Sequence, residues 1–296
     1  MSTFRVTHNM LAQRSLDGMM TASSRVSKVQ EHLTTGRIIN RPSDDPTGTT
    51  AAMRMRTSIA EAKQHARNAD DGLGWLAQAD STLMSMTDQV RRARELAIRG
   101  ANTGSVGPAA REALATEVDQ LRTSLLAAAN TTYLDRPVFG GTTAGGVAYD
   151  SDGLYAGDTG QVRRTVGDGV QVRVDTDAVA VFGPDGANLF DDLTALSAAL
   201  RAGDAAGIAA GGDAMRAGLD RLTTTLADVG TRSARLEVAA QAARDAEVDL
   251  VSSLSEVENT DLPKAMVDLQ LQEVAYQAAL AATARVMQPS LMEFLR

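Results

Sequence analysis

Apolar residues recur at spacings of three and four over stretches longer than an ordinary helix. Met55, Ile59, Ala62, Ala66, Ala69, Leu73 and Leu76 form one such run, which Leu83 and Val90 extend. A second runs through Leu219, Leu222, Leu226, Val229, Ser233, Leu236, Ala240, Ala243, Glu247, Leu250, Leu254 and Val257. Spacing of this kind, held this long, is the seam of helices packed side by side. A single helix from about residue 46 to 100 would be roughly 80 Å long at 1.5 Å per residue. A compact globule of this chain length is only about 50 Å across. The spacing therefore predicts a mainly α fold, an elongated antiparallel helical bundle or coiled coil, unless Gly72 and Gly74 interrupt the first helix.

The middle of the chain differs. From Arg136 to about residue 190 it is rich in glycine, and Val170, Val172 and Val174 alternate with polar residues. A period of two between glycine turns reads as short strands, closed by the turn Gly183-Pro184-Asp185-Gly186. On either side lie shorter helices. Leu114, Val118, Leu121 and Leu125 mark one, started by Gly107-Pro108 and ended near Asn130; Leu189, Leu193, Leu196 and Leu200 mark the other. The expected division is three-part: terminal arms at 1–44 and 260–296, a long-helix rod at 45–135 and 191–259, and a small β-rich outer domain at 136–190.

Both ends keep helical spacing with weaker filling. Leu16, Met19, Val26, Val29 and Leu33 form the first stripe. Leu262, Met266, Leu269, Tyr276, Leu280 and Met287 form the last, with Leu291 and Phe294 beyond it. Ala22, Glu273 and Thr283 add little apolar area to either. At about 25 cal/mol per Å², such seams fall short of the entropy lost in ordering each residue. The arms are expected to be loose in a free monomer and to need further partners.

Between the first arm and the long helix stands Arg41-Pro42-Ser43-Asp44-Asp45-Pro46. Neighbouring carboxylates in extended chain point apart, which argues against a catalytic acid pair or a metal clamp. A joint fits better. Pro42 keeps Arg41 out of helical geometry and ends what precedes it. Asp45 caps the next helix, Pro46 takes its first position, and Asp44 favours its positive end.

Composition narrows the function. The chain has 296 residues, a net charge of −8, 3% aromatic residues and no cysteine. Disulfides, thiolate metal sites and a cysteine nucleophile are excluded. The absence of a long basic tract argues against nucleic acid and membrane surfaces as partners. Aromatic poverty leaves little to fill a thick core. The first twenty residues do not read as a secretory signal. No cofactor or metal is expected: His8, His32 and His65 are scattered, and Asp150, Asp152 and Asp158 lack the spacing of a calcium loop.

TTGRIINRPSDDPTGTTAAMRMR, WLAQADSTL and VRRARELAIRGANTG together resemble the amino-terminal region of the flagellin family. Within that family, three features are more similar to the hook-associated branch than to filament subunits. They are Asn40-Arg41-Pro42-Ser43-Asp44-Asp45-Pro46, the turn Arg136-Pro137-Val138-Phe139-Gly140-Gly141, and the ending Gln288-Pro289-Ser290-Leu291-Met292-Glu293-Phe294-Leu295. The tract from Tyr155 to Asp175 resembles the short β domain of that branch. Ala156, where the family has asparagine, and Pro263, at the start of the last helix, depart from the pattern. The resemblance implies a non-enzymatic subunit, exported without a cleaved signal to the extracellular flagellum. Its implied partners are copies of itself in a ring, the first hook-associated protein, flagellin and an export chaperone.

Two groups are candidates for subunit contacts, beside their reading as a solvated face and an internal anchor. Arg91, Arg92 and Arg94, with Leu96, lie on the first long helix, where Asp88–Arg92 and Glu95–Arg99 are spaced for i,i+4 pairs on a solvent face. Trp75, the single tryptophan, is expected to anchor helices or subunits. Two other readings remain open: a flagellin filament subunit, and a coiled-coil signalling scaffold whose arms stay ordered and dimeric.

Overall fold

The computed structural model describes residues 8–102, 107–144 and 146–287. It contains α1 (His8–Thr35), α2 (Pro46–Ala101), α3 (Pro108–Ala129), α4 (Ala178–Phe182), α5 (Leu189–Ala202), α6 (Ala205–Glu258) and α7 (Leu262–Met287). Two small antiparallel hairpins pair β1 (Thr132–Tyr133) with β2 (Arg136–Pro137), and β3 (Arg163–Gly167) with β4 (Val170–Arg173). The fold is mainly α with a small β insert, as the apolar spacing predicts.

The chain divides into two compact units, residues 1–59 with 248–296, and residues 60–247. In the second, Ile208, Met215, Leu222, Val229 and Leu236 of α6 are buried at intervals of seven, as are Ala69, Leu76, Leu83, Val90 and Ala97 of α2. This is the heptad of a coiled-coil seam. The two helices run antiparallel there: Arg244 meets Asp70 at 2.6 Å, and Lys63 meets Glu247 at 3.5 Å. Packing also explains why Gly72 and Gly74 do not break α2. A Cβ at Gly72 would lie 2.9 Å from Leu236 Cδ1 and 3.0 Å from Val174 Cγ1, and one at Gly74 would strike the Tyr133 hydroxyl. These glycines admit neighbours rather than end the helix.

The β-rich segment is no separate body. Val138, Phe139, Tyr149, Val166 and Phe182 belong to the same buried cluster as Trp75 of α2, Val118 of α3 and the leucines of α5. Most of the described aromatic residues are pooled there. Phe182 meets Phe139 at 5.4 Å and Tyr149 at 5.2 Å between ring centroids, and Tyr149 meets Phe190 at 5.1 Å. Such contacts fill a core that the overall composition does not suggest. Burial pushes the Tyr149 hydroxyl far up and that of Tyr155 to about 12.

Local signals set the helix ends. Pro108 follows Gly107 at the start of α3. Asn188 and Asp191 form a capping box on α5, and Gly203 closes it at φ 68°. Helix α4, unexpected from sequence, is capped by Asp177, whose side chain accepts from Val179 and Ala180 N–H.

Candidate assembly site

The elbow forms within the first unit, but α1 ends earlier than expected. Gly36, at φ 70°, closes it before Pro42 could act. The chain then runs beside the α6–α7 connection. Ile38 N–H donates to the Glu258 carbonyl at 2.7 Å, Thr260 N–H donates to the Gly36 carbonyl at 2.9 Å, and Arg37 bridges to Asn259.

The two elbow carboxylates take different tasks. Asp45 caps α2: its Oδ1 accepts Thr47 N–H at 3.0 Å and its carbonyl accepts Thr49 N–H at 2.9 Å. Pro46 is the first residue of the helix. Asp44 does not serve the helix dipole as expected but folds back. Its Oδ2 accepts Arg41 N–H at 2.9 Å and Asn40 N–H at 3.3 Å, and its Oδ1 lies 3.2 Å from Lys28 Nζ. The Arg41 amide, then the Lys28 ammonium, hold its carboxyl below the usual value.

Glu258 is the residue that sequence reading missed. Its side chain is only 6% exposed and is met by Arg56 Nη2 at 2.8 Å and Arg37 Nη1 at 3.8 Å. It follows Val257, the last apolar position of the predicted seam, and no local spacing marked it. With Arg37, Asn40, Arg41, Met53 and Arg56, Glu258 lines a cleft of about 320 Å³.

Helices α1 and α7 pack against each other, with Thr283 Oγ1 donating to the Ser15 carbonyl at 3.4 Å. Both arms are thus helical and paired in this structure, through a seam that buries little of either helix. Met19, Val26, Val29, Leu33, Leu269 and Tyr276 are half-buried along this seam. Leu16, Leu262, Met266 and Leu280 are exposed instead. The covered stripe of α7 runs through Ala265, Leu269, Gln272, Tyr276, Ala279 and Thr283. The Met287 side chain, Leu291 and Phe294 lie outside the described residues.

The pair leaves much of its apolar surface open. No described side chain of α1 is buried, and among those of α7 only Ala265 and Thr283 are. Val267, Leu271 and Val274 are 65%, 63% and 64% exposed, spaced four and three apart on a second stripe. A helix apolar on two faces needs a neighbour on each.

In the second unit, Trp75 and Leu96 are buried by their own chain, so neither offers a subunit contact in this conformation. Trp75 is an internal anchor: it meets Tyr133 edge-on at 5.7 Å, and Arg136 lies over its ring. The expected i,i+4 ion pairs do not form among the described residues. Arg91 pairs with Asp88 and Arg92 with Glu95, each three residues apart at 3.3 Å. Arg92 Nε also reaches Glu117 on α3 at 2.7 Å; Glu117, then Glu95, raise its pKa further. Arg91 stays exposed and Arg94 is half-exposed.

The described residues contain no helix long and apolar enough to cross a membrane. The bacterial flagellin N-terminal helical region matches residues 6–143. Over 290 residues the chain is 27% identical to the flagellar filament 31.3 kDa core protein of Treponema maltophilum, covering 95% of each. Over 305 residues it is 25% identical to flagellar hook-associated protein 3 of Escherichia coli strain K12, covering 94% of this chain and 95% of that one. The crystal structure of flagellar hook-associated protein 3 from Legionella pneumophila shares the fold, with a TM-score of 0.61 and 15% identity over 69% of this chain and 98% of that one.

The amino-terminal part of this mainly helical chain matches the flagellin helical region, and most of the chain is similar to the flagellin-like structural proteins of bacterial flagella. Within that class it is a homologue of hook-associated protein 3 over most of its length, in agreement with the resemblance carried by Asn40–Pro46 and Arg136–Gly141.

Proposed function

We propose that this chain is a non-enzymatic subunit of the junction between the flagellar hook and filament. Copies of it stack as a ring, seated on the first hook-associated protein and followed by flagellin. Its terminal helices supply the axial contact. It leaves the cell without a cleaved signal, escorted by an export chaperone. The observation that carries this reading is the open second stripe of α7 at Val267, Leu271 and Val274, beside a seam with α1 that buries little. Helices left half-covered in one chain are completed by others, and the cost of ordering them is met on joining.

One observation favours a second reading, the filament subunit: a filament core protein matches across 95% of both chains. Deletion and localisation separate the two. Deleting the gene is expected to leave hooks that release flagellin into the medium. A tagged copy is expected as a narrow band at the filament base. Label along the whole filament would favour the filament subunit, and normal filaments after deletion would refute the junction role.

A further inference from the structure

The elbow cleft carries the wrong charge for its chain. The protein is acidic, at −8, yet the cleft gathers Arg37, Arg41 and Arg56 around a single acid, Glu258. Glu258 is shared by Arg56 and Arg37, while Arg41 has only Glu31, at 3.5 Å, among the described residues. The guanidinium side chains of Arg37 and Arg41 are 52% and 71% exposed. Met53, 63% exposed, gives the cleft an apolar wall. A partner suited to it would present carboxylates beside apolar groups.

The same unit carries such a surface on the end of α6. Asp249 and Glu256 are exposed, and neither makes an ion pair among the described residues. They are seven residues apart, about two helical turns, so they share a face. Val248, exposed at 67%, flanks it. This face cannot enter the cleft of its own chain. Glu258 turns its side chain into the cleft, and Asp249, nine residues earlier at about 100° per residue, points about 180° away.

We infer that the Arg37–Arg41–Arg56 cleft receives the Asp249–Glu256 face of α6 from a second copy of this chain. This rests on the assembly reading above and names one of its contacts. The contact is heterologous: each copy offers a cleft to one neighbour and an acidic face to the other. Repeated, it builds a ring or a helix rather than a closed dimer. Its charges set which copies meet and in what register.

Charge exchange tests it in cells lacking the native gene. Arg41→Glu alone and Glu256→Arg alone each set like charges together and are expected to reduce filament-bearing cells about tenfold. Co-expressing the two variants restores them, because each then supplies the surface that the other lacks. Single variants that assemble like the native chain, or a mixture that fails to recover, would overturn the inference.

The cysteine-free sequence allows a direct measurement. A short thiol-specific crosslinker on flagella carrying both Arg41→Cys and Glu256→Cys is expected to give a ladder of multimers, and neither single variant should. Dimers from a single variant, or links to a different protein, would contradict a cleft-to-face contact between copies. Failure here with filaments still lost on deletion would remove this contact and leave the assembly reading standing. Normal filaments on deletion would remove both.

Discussion

Arg56 and Glu258 lie 202 residues apart in the chain, and their side chains meet at 2.8 Å. The acid is nearly covered while the guanidinium is half exposed. The pair ties the first turns of α2 to the last turn of α6. Two substitutions here should differ in effect. Arg56→Ala leaves a covered carboxylate with only the longer contact to Arg37. Breaking a fully buried pair costs roughly 3–5 kcal/mol. Exposure of Arg56 and the remaining Arg37 reduce the expected loss to about 1–2 kcal/mol. Glu258→Leu removes the covered charge and leaves two solvated arginines, so its stability is expected within about 1 kcal/mol of the native chain. Urea denaturation of the two variants checks the order.

Asp44 makes the elbow sensitive to acid. Its folded pKa is below the ordinary value, through the Arg41 amide first and Lys28 second. A lowered carboxylate pKa contributes stability above the unfolded value, about 3.9, and that contribution disappears as pH falls through the folded value. Exchange of the Asn40 and Arg41 amides is expected to accelerate, relative to the intrinsic rate, as pH drops below about 4. Asp44→Asn should show the same acceleration at neutral pH.

Its neighbour acts on the helix instead. Asp45→Ala removes the cap on Thr47 N–H and is expected to cost about 1 kcal/mol. Thermal unfolding followed by circular dichroism measures this loss.

Glycines in the long helices give opposite results according to their neighbours. Helix propensity alone favours alanine by about 1 kcal/mol. At Gly230, where nothing lies within 4 Å of an added Cβ, Gly230→Ala is expected to stabilise by about that amount. At Gly74 the Cβ meets Tyr133. Overpacking costs about 1–3 kcal/mol, so Gly74→Ala is expected to destabilise. Adding Tyr133→Phe should return part of the loss, since it removes the hydroxyl in the way. Melting temperatures of the three variants decide the sign.

How much of this was visible in the sequence depended on the range of each contact. The seam of α6 was legible because Leu222, Val229 and Leu236 repeat one local spacing. The cap by Asp45 and Pro46 was legible because it acts within four residues. The aromatic cluster was not, since Phe139, Tyr149, Phe182 and Phe190 come from separate segments and no local pattern brings them together. Helix α4 is too short to display a period. On α7 the difficulty was surplus: apolar residues lie on two faces, so spacing alone could not choose the Ala265–Thr283 stripe over the Leu262–Leu280 one. Glu258 appeared in sequence as a polar residue past the end of a seam, because its partners lie far away in the chain.

On the proposed function, α1 and α7 are completed by neighbouring molecules. Hydrogen exchange on the purified chain and on the same chain in isolated flagella tests it most directly. Amides of 8–35 and 262–287 are expected to exchange quickly in the free protein and to become strongly protected after assembly, while the heptad core of α2 and α6 within 60–247 is protected in both. Equal protection of the two terminal helices in both states would contradict it.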